Sequence, residues 1–312
     1  MTRAASRGHT LVELLVAMAI ATTVAAIVFP ALLTLQARSL AEVSRTDLRA
    51  RADRLLRFLA EEVRDAAFLV GAVPRRSGGA APVLIHDSRP GNPAESLDFA
   101  LLAEDGGEAG DDALTVVKAV SFFPPLKLTH AATVGDTVLR LDRRPNQSPG
   151  SSREVLPAPE AISHVVPANQ RFCYPVAGAT QALPLLEGLA VAVPIATELL
   201  GVRARRIYLD RPGASGRLRW DDFTSDEILD QAVDGLQFEY LLADGRTVDR
   251  PDDPRLIRGV RLSLLVRDQR ADPDYRDTRA YRLGNRRYGP YNDRFRRVAV
   301  SELIEVRNHG LP

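Results

Sequence analysis

The sequence predicts an α+β chain: one long amino-terminal helix, apolar in its lower half and amphipathic in its upper half, packed on a β-rich carboxy-terminal head. Three observations carry this expectation. Residues 14–37 hold no ionisable side chain. Residues 38–73 set apolar side chains three and four positions apart among arginines and carboxylates. Beyond residue 74, short β-prone runs alternate with Gly, Pro, Asn and Asp clusters, the punctuation of β structure.

The first element is a leader, residues 1–8, which bears Arg3 and Arg7 and ends at Gly8. The helix expected over 9–37 is long enough to be transmembrane. Its 24 uncharged residues, at about 1.5 Å of rise each, reach about 36 Å against a hydrocarbon core of about 30 Å. A secretory signal peptide has an apolar region of only about 7 to 15 residues, closed by a small-x-small cleavage site. Glu13 stands alone at the lip of the run. A charge near the bilayer centre costs about 2.5 to 3.5 kcal/mol on insertion scales, so this carboxylate asks for a partner. A cut after Gly8 would leave the α-amine of His9 one helical turn from Glu13. The same amine on a neighbouring copy can pair with Glu13 across a helix interface, a pairing that specifies register more than it adds stability. The His9 imidazole, at i and i+4 to Glu13, offers a local ion pair when charged. Pro30 lacks an N–H and clashes with the carbonyl of Ala26, which predicts a kink or loosened turn at a cost of about 3 kcal/mol. Membrane helices also tolerate proline, because neighbours and waters satisfy the freed carbonyl.

Over 38–73 an amphipathic helix continues the first. Leu40, Val43, Leu48, Leu55, Phe58, Leu59, Glu62 and Val63 form the spaced face, and arginines take most of the others. Its end is expected near Gly71, with Pro74 close behind. An anchor followed by an unrelated coiled coil is the alternative, but the pattern is too short for sustained heptads. The head, 74–312, is long enough for a core of its own. Strands are expected at 96–102, 114–122, 136–141, 205–209, 236–242 and 260–266, with antiparallel pairing and a turn at Asp244-Gly245. The segments 75–92 and 145–159 read as extended loops, and no internal repeat of the head is visible.

Arg7-Gly8-His9-Thr10-Leu11-Val12-Glu13-Leu14-Leu15-Val16-Ala17 resembles the cleavage and methylation motif of type IV prepilins and pseudopilins. The resemblance implies cleavage between Gly8 and His9 by a prepilin peptidase, N-methylation of His9, and assembly roles for Glu13 and Pro30. Pro30 sits where the major pilins commonly have a proline, whereas His9 stands where the family usually has Phe. The head carries a narrower resemblance, to PilW-like minor pilins. It lies in Val233-Asp234-Gly235-Leu236-Gln237-Phe238-Glu239-Tyr240, in Ile257-Arg258-Gly259-Val260-Arg261-Leu262-Ser263-Leu264-Leu265-Val266-Arg267, and in Asp293-Arg294-Phe295-Arg296-Arg297-Val298 with the closing Arg307-Asn308. J-class pseudopilins of type II secretion share a similar strand arrangement, so the resemblance leaves the system open. What it implies is a minor pilin that helps initiate, prime or cap a filament. Its partners would be other major and minor pilins, the inner-membrane assembly platform and the inner membrane itself. The chain would be single-pass in that membrane before assembly, with its head extracytoplasmic, and would later belong to the pilus or cell surface.

Charge sets further bounds. The chain has 41 basic and 40 acidic residues, a formal net charge of +1, so the whole molecule presents no polyanion-binding field. Only Lys118 and Lys127 are lysines; nearly every cation is a guanidinium that forks onto carboxylates or stacks on rings. Residues 275–297 interleave arginines with Tyr275, Tyr281, Tyr288, Tyr291 and Phe295. That pattern fits a DNA or polyanion contact through Arg286, Arg287, Arg296, Arg297 and Tyr288, as in a competence (DNA-uptake) pilin. It fits equally an Arg and Tyr stacked loop that rigidifies the head, and the family resemblance of the stretch favours the latter. Cys173 is the only cysteine, so no intramolecular disulfide forms, and its neighbours Phe172 and Tyr174 suit a small buried apolar residue. Glu104, Asp105, Glu108, Asp111 and Asp112 offer oxygens to Ca²⁺, but their spacing is not that of an EF-hand and solvated turns are the better reading. His86, His130, His164 and His309 lack metal-ligand spacing, and no phosphate-binding loop or nucleophile elbow appears. No metal, cofactor or catalytic residue is expected. A membrane-anchored enzyme has only the large head in its favour.

Overall fold

The computed structural model describes residues 11–66, 83–85, 95–97, 101–107, 110–142, 164–168, 174–176, 182–186, 188–213, 215–222 and 225–306. The side chains at 12, 13, 31, 33–35, 37, 38, 40, 41, 83–85, 95–97, 123, 124, 164, 175 and 255 also lie outside the description. Gly8, His9, Cys173, Glu108, Arg307, Asn308 and the expected loops at 75–92 and 145–159 fall wholly or largely outside it.

A single helix, α1, runs Leu11–Arg64, 54 residues, and passes through Pro30 without a break. The helix is assigned continuously across this position, since one missing N–H removes one rung of the ladder. Among the described residues no helix is long and apolar enough to cross a membrane. The chain divides into two compact units, Met1–Ala50 and Arg51–Pro312.

In the first unit, Leu11, Leu14, Leu15, Val16, Met18, Ile20, Val24, Ile27, Phe29 and Leu32 are all more than half exposed. The hydroxyls of Thr22 and Thr23 bond back to the carbonyls of Met18 and Ala19 at 2.7–3.0 Å, so they present no unpaired donor.

In the second unit, α1 ends at Arg64, earlier than the expected Gly71. Ala66 N–H bonds to the carbonyl of Val63, three residues back, which tightens the last turn and stops the helix. The buried stripe overlaps the expected one in part. It keeps Leu59 and Val63 and adds Ala52, Leu56 and Ala60, while Phe58 remains 41% exposed and lies tilted by 34° on Trp220, ring centroids 4.9 Å apart. Two small alanines, rather than the larger Leu55 and Phe58, face inward.

The strands are, in chain order, β1 (Val83–Ile85), β2 (Glu95–Leu97), β3 (Leu101–Glu104), β4 (Ala113–Lys127), β5 (Val138–Arg140), β6 (His164–Pro167), β7 (Tyr174–Pro175), β8 (Ala182–Pro184) and β9 (Glu198–Asp210). They continue with β10 (Arg217–Asp221), β11 (Asp226–Asp230), β12 (Val233–Leu242), β13 (Thr247–Val248), β14 (Ile257–Arg267), β15 (Tyr281–Leu283), β16 (Arg286–Tyr288) and β17 (Arg297–Glu305). The expected strand at 96–102 is two, β2 and β3.

All pairs are antiparallel. One sheet orders β11-β10-β9-β4-β3, with β6 also on β9 and β7 on β6. A second orders β13-β12-β14-β17. Asp244-Gly245 does turn a hairpin, with Gly245 at φ 84° and Leu242 N–H bonded to the Arg246 carbonyl, but the returning strand is the two-residue β13. The chain then crosses to the other edge of β12 as β14.

Between β4 and β9 the described residues carry a repeat of backbone bonds that the sequence does not display. Leu128 N–H bonds to the Thr197 carbonyl and Ala196 N–H to that of Leu128; in return Leu189 N–H bonds to the Asp136 carbonyl and Gly135 N–H to that of Leu189. Ala132 and Val193 exchange both bonds at 2.8 Å on the local two-fold. Thus Leu128, Ala132, Val134, Gly135 and Asp136 correspond in order to Leu189, Val193, Ile195, Ala196 and Thr197. Gly135 and Ala196 both take positive φ, Val134 and Ile195 are both exposed at the turn, and Leu128 and Leu189 both enter the core around Tyr174.

Candidate functional site

The carboxy-terminal strands enclose a polar centre that the fold assembles from four segments. It begins at β12, whose register against β14 shifts between Val233 and Gly235 and places Asp234 at the irregularity. At the start of β17, Arg297 is buried to 5% exposure. Its Nε donates to Asp234 Oδ2 at 2.7 Å, its Nη1 and Nη2 fork onto Asp293 at 2.7 Å each, and Nη1 also reaches Asp277 Oδ2 at 3.1 Å. The guanidinium plane lies 3.6 Å from the centroid of Tyr291. Arginine is suited to such a position because its fork satisfies several carboxylate oxygens at once.

Asp277, fully buried, also accepts from the hydroxyls of Tyr281 (2.9 and 3.0 Å) and Tyr275 (3.2 Å) and from Arg279 Nε (3.3 Å). Burial pushes its carboxyl up, yet the donors outweigh it and the net direction is down. Asp293 is held low chiefly by the Arg297 fork. Burial works against the Arg297 charge, but bonds to Asp293 and Asp234 prevail and its pKa rises.

A second carboxylate pair ties the loop before β4 to the same module. Asp111 accepts from the Tyr288 hydroxyl at 2.7 Å and from Arg211 Nε at 2.6 Å, and lies 3.1 Å from Arg286 Nη1. Tyr288 packs with Leu265 and Leu283, and its ring sits where a side chain at Gly235 would be: a Cβ there would meet it at 2.8 Å. Asp112 accepts from Phe238 N–H (2.7 Å), Gly106 N–H (3.0 Å) and Gln237 Nε2 (3.3 Å). The loop's approach requires glycine, since a Cβ on Gly106 would meet the Asp111 carbonyl oxygen at 2.4 Å.

Asp112 sets a pH dependence. Burial raises its carboxyl to about 6, against the lowering by the two backbone N–H bonds. A carboxyl that binds its proton more tightly when folded contributes stability present below its unfolded pKa of about 4 and lost as pH rises through about 6. Asp277 and Asp293 act oppositely and lose their contribution only below about 4. The stability of the full chain in detergent is therefore expected to rise by about 1–2 kcal/mol, after discounting for solvent screening, as pH falls from 7 to 5, and its unfolding temperature to rise with it. Asp112→Asn should flatten that slope; an unchanged slope in this variant would refute the assignment.

The residues singled out from sequence are distributed unevenly. Gly8 and His9 lie outside the described residues. Glu13 is on α1 but its side chain is not described, and Pro30 is on α1, exposed. Arg297 is the buried centre. Arg296 pairs with Asp272 at 2.6 and 2.8 Å and stacks on Tyr275; Arg286 stacks on Tyr288; Arg287 is exposed. Three of the four arginines read as a polyanion contact thus meet carboxylates inside the head. The acidic residues read as turns are structural acceptors: Asp105 for Gly107 N–H, Asp111 and Asp112 as above, and Glu104 for Arg206. Among the described residues no group of His, Cys, Asp and Glu is arranged to hold a metal.

Sequence reasoning missed Asp234, Asp111 and Asp112 as partners, although an aspartate inside an apolar strand run such as Val233–Leu242 is a signal of a buried cation. It also placed Glu62 on an apolar helix face without drawing its consequence. Glu62 takes Arg205 Nη1 at 2.8 Å and lies 2.9 Å from Lys118 Nζ, joining α1 to β9 and β4.

Two families match the chain. Type IV Pilus-assembly protein W matches residues 224–308, the segment that contains β12, β14, β17 and the Arg297 centre. The prokaryotic N-terminal methylation motif matches residues 3–29. No curated protein and no solved structure matches. The chain thus resembles prepilin-type proteins at its amino-terminal end and Type IV Pilus-assembly protein W over its carboxy-terminal strands.

Proposed function

We propose that this protein is a minor pilin, cut after Gly8 by a prepilin peptidase, that takes part in initiating, priming or capping a type IV pilus filament by assembly rather than catalysis. The observation that carries the reading is the presence of both matched segments in one chain. Before assembly, residues 9–37 span the inner membrane as a transmembrane helix with the head outside the cytoplasm. The exposed apolar side chains of the first unit support this, as does the return of the Thr22 and Thr23 hydroxyls to helix carbonyls, which removes the polar cost of lipid contact. In the filament, Glu13 meets the amine of a neighbouring subunit whose own carboxylate has not neutralised it. Pro30 is the point where the helix can locally melt.

Mass spectrometry of the amino terminus, taken separately from sheared filaments and from membranes, tests the proposal. A chain beginning at methylated His9 in the sheared fraction is expected; an uncut Met1 terminus confined to membranes would overturn it. Glu13→Ala is expected to leave that processing intact while reducing recovery of other pilins with the chain by about tenfold, the equivalent of one lost partly buried pairing of about 1.4 kcal/mol. Unchanged co-purification would remove the pairing. The DNA-uptake reading draws less support, since Arg286, Arg296 and Arg297 already have carboxylate partners. A type II secretion pseudopilin remains the neighbouring reading of the same motif.

A further inference from the structure

Residues 275–297 contain eight arginines, and the head treats them in two ways. Arg279, Arg286, Arg296 and Arg297 are paired with Asp277, Asp111, Asp272 and the Asp234, Asp277 and Asp293 group. Arg276, Arg282, Arg287 and Arg294 have no ion-pair partner among the described residues, and all four are exposed. Two of these, Arg276 and Arg294, line one concavity of about 330 Å³ together with Pro273, Asp274, Tyr275 and Asn292.

Its walls are fixed. Asp272 N–H bonds to the Arg294 carbonyl, Asn292 N–H to the Asp277 carbonyl and Asp277 N–H to that of Asp293, each at 2.8 Å. Tyr275 is clamped by the Arg296 guanidinium 4.3 Å from its ring and by Arg279 Nη2 at 2.8 Å from its hydroxyl. The backbone on both sides is therefore held by the Arg297 and Asp277 network, while the two guanidinium groups make no ion pair among the described residues. A guanidinium fork matches a planar carboxylate in geometry as well as in charge.

From this we infer that the Arg276 and Arg294 concavity is a docking site for an acidic side chain of another pilin subunit. Charge chemistry selects this occupant. Asp274 lines the same concavity, so a densely charged phosphodiester backbone would meet an anion there, whereas a protein segment can set a carboxylate on the arginines and a backbone N–H on Asp274. The inference rests on the pilin reading for the identity of the partner, but not for the chemistry of the site.

The test uses the full chain in detergent at low salt, titrated by fluorescence anisotropy with a labelled hexaglutamate peptide and, separately, with a short single-stranded oligonucleotide. The peptide is expected to bind, to weaken at least about tenfold in Arg276→Ser/Arg294→Ser, and to change by less than about twofold in the exposed control pair Arg282→Ser/Arg287→Ser. An unchanged unfolding temperature shows that the first variant folds, and Arg276→Lys/Arg294→Lys, which keeps charge but not the fork, should fall between it and the parent. No peptide binding, equal weakening in both pairs, or tighter oligonucleotide binding lost with Arg276 and Arg294 would each overturn the inference. A chain that stays uncut at Gly8 in cells yet binds the peptide through this pair would sink the pilin reading alone.

Discussion

Replacing Arg297 with methionine is expected to destabilise the head by about 3–5 kcal/mol, enough to exhaust much of the stability of an ordinary domain. The magnitude follows from what is left behind. Asp277 is fully buried, Asp234 is 1% exposed, and both would lose their principal cation at once. Asp234 is the more vulnerable. Its Oδ2 depends on Arg297 Nε, and its Oδ1 has no hydrogen-bond partner among the described residues. Asp277 keeps the tyrosine hydroxyls and Arg279, so it is partly sheltered. Arg297→Lys should cost less, since a charge remains, but one ammonium cannot reproduce bonds to three carboxylates and also lie on the Tyr291 ring. Urea unfolding of the full chain in detergent decides the matter: a loss under about 1 kcal/mol for Arg297→Met would mean the aspartates titrate or find water, and that the centre is not what holds β12 to β17.

This centre shows how far the sequence could be read. Strands β12 and β14 declare themselves, because β-prone residues alternate with polar ones in Leu236-Gln237-Phe238-Glu239-Tyr240 and Val260-Arg261-Leu262-Ser263-Leu264. The interleaving of arginine and tyrosine over 275–297 was equally plain, and the stacking it implies is present at Tyr275, Tyr281, Tyr288 and Tyr291. Which guanidinium groups turn inward was not legible, because their partners Asp111 and Asp234 are distant in sequence and come together only through the sheets. The helix stripe was legible only in part: Leu48, Leu59 and Val63 are buried as expected, Leu55 and Phe58 are not. Counting hydrophobicity favours Leu55 and Phe58, whereas packing also buries the small Ala52 and Ala60. The repeat between β4 and β9 was invisible because the halves share hydrogen bonds and a positive φ rather than residue identities, Gly135 in one and Ala196 in the other.

The second large effect is expected at Glu62. Its carboxylate is only 13% exposed and serves two cations of similar burial, Lys118 and Arg205. Arg205 in turn lies 4.0 Å over the ring of Trp220, against which Phe58 of α1 packs, so one carboxylate fixes both the ionic and the aromatic contacts of the helix with β4, β9 and β10. Glu62→Ala strands two cations where water cannot fully reach them, and a loss of about 3 kcal/mol is expected. The same reasoning makes a sharper claim. Removing the cations with the anion, as Glu62→Leu with Lys118→Met and Arg205→Met, should recover most of that loss, because desolvation of all three charges disappears together. If the triple variant is as unstable as Glu62→Ala, the deficit comes from the lost packing of the arginine stem on Trp220 rather than from unpaired charge. A double-mutant cycle between Glu62 and Arg205 then separates the two contributions.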